Sequence, residues 1–282
     1  MPPRRRHPTM VVPAPCTIEA LPTGLAPPDA ERLAMWLESS RRFAAFAAAN
    51  RDKIRKKLRG ASTEESARDV LARLAVAFLL LEERRVELAY ESFAARGAGP
   101  DFAVRFRAGE AFHAEVTRLR VGADQGKAEQ RLATRICAKL RQLAPGARNV
   151  LVVVTDSDAG SSCGTGTDDS HECAVGGCAA APSPGRAVGR LTARVEARDD
   201  AFFERSGLGG RKDFIRLLGR LRGVLVLTDA IALCERDDRW DVTLAPAGMQ
   251  GHVWEHKNAR HPLTRELLNV LCRAAGQVWK GD

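Results

Sequence analysis

The sequence predicts an α/β fold in which a mixed central sheet is flanked by helices. Apolar and polar residues alternate over 102–119, which is the pattern of paired strands. Residues 149–156 instead form a continuous apolar run, typical of a strand that is buried on both faces. Segments with helical periodicity separate these runs, and such interleaving favours an α/β arrangement.

The first 60 residues are predicted to form a basic, proline-rich arm followed by a helix. Proline is concentrated in residues 1–28 without periodicity, whereas apolar residues in 29–59 have helical spacing. Residues 51–59 read RDKIRKKLR, a segment suited either to phosphate contacts or to a solvated helix face. We expect the second domain to span residues 61–282.

A long helix is predicted next, from the capping box at 62–65 to about residue 95. It should stop before Gly97 and the Gly99-Pro100 pair. Its apolar residues recur at helical spacing, so we expect it to pack in a core. These residues are Leu71, Leu74, Phe78, Leu81 and Leu88.

A hairpin, a helix and a buried strand are predicted to follow. The hairpin joins a strand at 102–107 to a strand at 111–119. Residues 126–143 form an amphipathic helix that ends before Pro145-Gly146, and residues 149–156 form the buried strand.

The C-terminal part opens with an insertion. Residues 157–186 contain almost no large apolar side chain and are predicted to be a flexible, Cys- and Gly-rich segment. Further helices are expected at 186–196, 199–221 and 264–275. Further strands are expected at 224–228, 240–244 and 252–256.

The overall charge limits the classes of partner. A net charge of +9 and a sequence pI of about 9.6 favour nucleic acid, although an arginine-rich composition alone gives the same balance. No stretch reaches the roughly 18 apolar residues of a membrane span, so no membrane partner is expected. An odd count of 7 cysteines without a secretion signal predicts reduced thiols and a cytoplasmic protein. The sequence is compatible with a homodimer.

Two acidic residues in the predicted hairpin form the candidate chemical site. Asp101 opens the hairpin, and Glu115 lies in the middle of its second strand. Because side chains alternate along a strand, Glu115 and Thr117 share one face and Val116 lies on the other. Two converging carboxylates predict a site for Mg²⁺ or Mn²⁺, which could activate water and stabilise charge on a phosphodiester.

The same residues carry a family resemblance over about residues 80–155. Pro100-Asp101, followed by Glu115-Val116-Thr117, resembles the PD-(D/E)XK nuclease superfamily with threonine in place of the motif lysine. The resemblance implies a restriction-endonuclease-like fold in which Asp101 and Glu115 hold the metal. It also implies a lysine that orients or activates the attacking water.

Neighbouring helices offer further candidates. On the preceding helix, Glu82 is predicted to lie within the apolar stripe and to assist as a third acid, as in many members of the superfamily. Lys139 and Gln142 resemble a Lys/Gln pair that some members carry on the following helix. The role of the missing lysine falls to Lys139 or to Arg118, of which Arg118 is the poorer substitute because alternation places it on the opposite face.

Cysteine and histidine in the insertion form a second candidate site. Four soft ligands with the spacing C-x7-H-x-C-x4-C are suited to zinc, but the segment lacks a C-x2-C pair and its composition equally suits disorder. These ligands are Cys163, His171, Cys173 and Cys178.

The sequence thus predicts a metal-dependent nuclease-like protein that acts on or binds DNA. Nucleic-acid contacts are expected from the basic helix and from Arg118, Arg135 and Gln142. The first alternative is a catalytically inactive binding or scaffold protein with this fold. The second is a zinc-binding regulatory protein.

Overall fold

The computed structural model describes residues 25–91, 99–107, 110–121, 124–157, 182–228, 251–256, 259 and 262–274. The chain divides into two compact units, Met1–Leu71 and Ala72–Asp282. The division falls inside a helix.

Over residues 27–60 the described chain forms three short helices where the sequence predicted one. They are α1 (Pro27–Ser39), α2 (Arg41–Ala49) and α3 (Arg51–Gly60). Ser40 separates α1 from α2 because its backbone is extended and its side-chain oxygen accepts a hydrogen bond from the Phe43 N–H, capping α2. In α3, Ile54 and Leu58 are buried, while most of its basic side chains are exposed.

Helix α4 (Glu64–Glu82) is shorter than predicted. The prediction of helix beyond residue 82 is wrong, since Val86–Tyr90 forms strand β1. In β1 Val86 and Tyr90 are buried while Glu87 is exposed, and the strand pairs antiparallel with β2 (Phe102–Phe106). Pairing with β2 therefore overrides the helical spacing that Leu88 shares with the residues of α4.

The strands form one six-stranded sheet in chain order. Strands β1, β2 and β3 (Glu110–Val121) form an antiparallel meander, and β3 is parallel to β4 (Asn149–Ser157). Strand β5 (Leu221–Thr228) is parallel to β4, and β6 (Gly251–Glu255) is antiparallel to β5. The prediction of an α/β fold with a mixed sheet is confirmed. The strand expected at 240–244 lies outside the described residues, as does most of the insertion.

The remaining helices are α5 (Gln125–Leu140), α6 (Pro184–Glu196), α7 (Asp200–Arg205), α8 (Arg211–Leu218) and α9 (Arg265–Ala274). The single helix predicted over 199–221 is divided because Gly207 and Gly210 adopt positive φ angles of 83° and 89°. Within the part of the chain that is described, no helix has the length and apolar character needed to cross a membrane.

One face of the sheet packs against α5 and the helices from α6 to α8. Leu119 and Val121 on β3, and Leu151 and Val153 on β4, lie in this core. Since side chains on a strand alternate, Glu115 and Thr117 project to the same face as Leu119. The sheet therefore presents the predicted carboxylate to α5.

Candidate active site

The hairpin of β2 and β3 brings Asp101 beside Glu115. Asp101 precedes β2, and its Oδ2 accepts a hydrogen bond of 2.9 Å from the Val116 N–H in the middle of β3. The β2–β3 ladder ends where Phe102 pairs with Ala114. Asp101 and Glu115 are the next residues on the two sides, so they lie opposite each other at the end of the ladder. Both are buried, with exposures of 8% for Asp101 and 7% for Glu115. The two predicted metal ligands thus occupy one partly enclosed site.

Helix α5 supplies a lysine to this site. Lys139 Nζ donates to Glu115 Oε1 at 2.7 Å and to Gln142 Oε1 at 2.9 Å. Thr117, buried on the same strand two residues beyond Glu115, provides no cation. Lys139 therefore places a positive charge beside Glu115, with Gln142 as its second hydrogen-bond partner.

A second cation, Arg73, was not expected from the sequence. Arg73 lies on α4, and its Nε donates to Asp101 Oδ1 at 2.7 Å. The available signal was a single arginine in the apolar run from Val70 to Leu81, because a charge in a buried helix requires a partner. That signal predicts an ion pair without indicating which acid completes it.

The four side chains carry balanced charges in a partly dehydrated setting. Burial raises the pKa of Glu115, and the nearby charge of Asp101 raises it further. The hydrogen bond and charge of Lys139, and the charge of Arg73, act in the opposite direction and do not overcome these effects. Glu115 is therefore a carboxylate that the fold holds at an electrostatic cost.

The prediction that Glu82 lies in the apolar stripe is wrong. Glu82 is the last residue of α4, and its side chain is exposed because the helix ends there. The neighbouring Glu83 is partly buried and binds Arg85 at 2.7 Å, which lowers the pKa of Glu83 to about 2. Helix α4 thus contributes Arg73 to the site rather than a third acid.

The predicted nucleic-acid-binding and zinc-binding residues lie at different places in the chain. Arg118 donates to Asp156 at 2.5 Å from the opposite face of β3, so it does not join the carboxylates. Arg135 is exposed on α5, one turn before Lys139. The four zinc candidates, Cys163, His171, Cys173 and Cys178, lie outside the described residues.

The carboxylates fit a magnesium ion of low protein coordination. Mg²⁺ prefers oxygen ligands and commonly keeps several waters while binding one or two carboxylates. Asp101 and Glu115 offer that number, and the described residues contain no group of three or more His, Cys, Asp or Glu side chains that could hold a metal.

Glu129, on α5, is another buried acid, which sequence reasoning missed. It is 3% exposed, and its Oε2 accepts hydrogen bonds from Arg190 at 3.2 and 3.0 Å. Arg186 reaches its other oxygen at 3.5 Å. Both arginines lie on α6, so this cluster links two helices and does not join the Asp101–Glu115 site.

The glycine-rich turn between α7 and α8 connects the two helices. The Gly209 N–H donates to Asp213, and the Arg211 N–H donates to Asp200. Aspartates therefore occupy backbone donors that a phosphate would need.

Comparison of the chain with protein-family models, curated proteins and solved structures found no match. Its resemblance to the PD-(D/E)XK superfamily therefore depends on the residues described above.

Proposed function

We propose that this protein is a restriction-endonuclease-like, metal-dependent nuclease that hydrolyses phosphodiester bonds in DNA. The contact of 2.7 Å between Lys139 Nζ and Glu115 Oε1 carries the proposal. The PD-(D/E)XK pattern lacks its lysine at Thr117, and Lys139 delivers an ammonium group to the same carboxylate from α5. Pro100-Asp101 and Glu115 follow the order of that motif, and Lys139 with Gln142 resembles a pair that some members carry on the following helix.

Asp101 and Glu115 would hold Mg²⁺ or Mn²⁺ through their carboxylate oxygens. When bound, the ion supplies a polarised water and a counter-charge for the phosphodiester. Lys139 lies where it can orient the attacking water or balance negative charge that develops on the phosphate. Gln142 positions Lys139 through the hydrogen bond to Nζ. Thr117 takes no chemical role, because a hydroxyl of ordinary pKa is a poor proton-transfer group at neutral pH.

Nucleic acid is the favoured class of substrate because the protein carries positive charge beside the site and elsewhere, and the resemblance to the nuclease superfamily favours DNA within that class. The net charge is +9, and Arg135 is exposed on the helix that bears Lys139. Helix α3 in the first unit also exposes basic side chains. Phosphate contacts of this type make binding salt-dependent, so the affinity for DNA should fall steeply as salt is raised.

Cleavage assays with purified protein test the proposal. Wild type is incubated with duplex DNA, single-stranded DNA and RNA in Mg²⁺, in Mn²⁺ and in EDTA. We expect metal-dependent cleavage of DNA that falls by about 100-fold or more in Asp101→Asn and in Glu115→Gln, since each removes a charged ligand. Glu204→Gln, a change at an exposed residue of α7, is the matched control. Folded wild type that cleaves none of these substrates would overturn the proposal.

A binding protein without catalysis is the second candidate, and the Arg73–Asp101 ion pair favours it. That pair neutralises one carboxylate without any metal. Such a protein would bind DNA equally well in EDTA and in Mg²⁺ and would leave it intact. Measuring binding and cleavage on the same DNA duplex separates the two candidates.

A further inference from the structure

We infer that Arg73 competes with the metal for Asp101, so that the metal site forms only when the Arg73–Asp101 ion pair opens. The inference rests on the proposed function, since it concerns the same carboxylates. It assigns to α4 a residue that restrains metal binding in the free protein.

The ion pair lies in a setting that strengthens it. Arg73 Nε and Asp101 Oδ1 are 2.7 Å apart, and the side chains are 23% and 10% exposed. Ala72 and Leu74, on either side of Arg73 in α4, are buried. A charge-assisted hydrogen bond with little access to water is stronger than one at the surface.

The oxygens of Asp101 are already engaged. Oδ1 accepts from Arg73, and Oδ2 accepts from the Val116 N–H of β3. The second donor is part of the sheet backbone and is fixed by the pairing of β3 with β2 and β4. A cation that binds Asp101 must therefore displace one of these two donors. Arg73 is the donor that can leave, because its side chain can change rotamer.

The charges of the four side chains also oppose metal binding in the free protein. Asp101 and Glu115 carry two negative charges, and Arg73 and Lys139 carry two positive charges. A divalent ion added to this group leaves an excess of two positive charges, which the phosphates of DNA reduce. Metal and DNA should therefore increase each other's affinity, and this coupling is reciprocal. Once released, the planar guanidinium of Arg73 has the geometry to bind a phosphate.

Mn²⁺ binding to the free protein tests the competition. Calorimetric titration compares wild type with Arg73→Gln, Arg73→Lys and Arg205→Gln, the last being an exposed arginine of α7 that serves as the charge control. We expect Arg73→Gln to bind Mn²⁺ about tenfold more tightly or better, because it removes a charge-assisted competitor. Arg73→Lys should be intermediate, and the control should match wild type.

A measurement on wild type avoids dependence on variant folding. Mg²⁺ is titrated while the Nε–H resonance of Arg73 is followed by NMR, with Arg73→Lys used to assign it. We expect the resonance to shift in step with metal saturation as the ion pair opens.

The outcomes separate the two proposals. Unchanged or weaker Mn²⁺ binding by folded Arg73→Gln, or an Nε–H signal that stays fixed while Mg²⁺ binds, contradicts the role of Arg73 alone. Absence of Mn²⁺ binding in both wild type and Arg73→Gln contradicts the proposed function and the inference together.

Discussion

A buried carboxylate lies at each end of α5, and the two have different surroundings. Near its start, Glu129 is a single carboxylate bound by Arg186 and Arg190 from α6. At its end, Lys139 reaches Glu115, a carboxylate that lies beside a second carboxylate, Asp101. The first cluster holds one acid between two cations and links two helices. The second brings two acids together, and burial, followed by the charge of Asp101, raises the pKa of Glu115.

The difference shows that burial of a charge is not enough to indicate a functional site. A buried acid surrounded by cations stabilises the fold, as we infer for Glu129. Two buried acids side by side are costly to the fold, and such an arrangement is more often kept for chemistry. Variants at Glu129 and at the Asp101–Glu115 site should therefore separate stability from activity.

The largest expected effect is on catalysis, through Lys139. Lys139→Met should lower the rate of Mg²⁺-dependent DNA cleavage by about 100-fold, because it removes the cation beside the metal carboxylates. The unfolding free energy should fall by only about 1 kcal/mol, because methionine keeps the packing of the lysine's aliphatic stem and Glu115, whose pKa burial already raises, can take up a proton. Cleavage kinetics and urea denaturation measure the two quantities. A variant that keeps the wild-type rate would show that Lys139 has no role in the reaction.

The next effect is on stability, through Glu129. Glu129→Gln should lower the unfolding free energy by about 2 kcal/mol, because it breaks a buried ion pair whose arginines are partly exposed. Its cleavage rate should equal that of wild type when the protein is folded. Loss of activity without loss of stability would contradict the assignment of Glu129 to the fold.

Glu115→Gln is expected to change the unfolding free energy less than Glu129→Gln does, and not to lower it as that variant does. A raised carboxyl pKa means that the native state favours the protonated form, so this group's contribution to stability is present at low pH and is lost as the pH rises through the folded-state pKa. In EDTA at pH 8, Glu115→Gln should therefore leave the unfolding free energy within about 1 kcal/mol of wild type or raise it. Urea denaturation checks this. A loss as large as that of Glu129→Gln would remove the distinction between the two regions.

The smallest effect concerns Cys137, on the inner face of α5. Burial raises the pKa of Cys137 to about 12, so native wild type should resist alkylation at this thiol. In Glu129→Gln the alkylation rate should increase a few-fold as local opening becomes easier, and in Lys139→Met it should not. Peptide mapping after iodoacetamide treatment measures the rate. Equal rates in all three proteins would show that Glu129 does not secure this helix.

Alternation and apolar runs in the sequence predicted the strands whose pattern is visible within a single segment. The alternation around Glu115 and the apolar run at 149–156 gave the strands and the face that meets α5, and the structure agrees. Strand β1 was not predicted, because Leu88 continues the helical spacing of α4. The strand depends on a long-range contact, the pairing of Val86 with Phe106. The periodicity of a single segment cannot predict such a contact.

The candidate site was predicted in part for the same reason. Asp101, Glu115 and Lys139 lie on elements whose faces the alternation or helical spacing defines. Arg73 was missed and Glu82 was misplaced, because the side of α4 that faces the hairpin depends on how the helix packs and where it ends. Of the two, only Arg73 lies beside Asp101.

Direct detection of bound metal tests the central claim, that Asp101 and Glu115 form a metal site. Mn²⁺ binding is counted by electron paramagnetic resonance in wild type, Arg73→Gln, Glu115→Gln and Glu129→Gln. The account predicts bound Mn²⁺ in wild type and in folded Glu129→Gln, and its loss in Glu115→Gln. Equal binding in Glu115→Gln, or no binding in either wild type or Arg73→Gln, would contradict it.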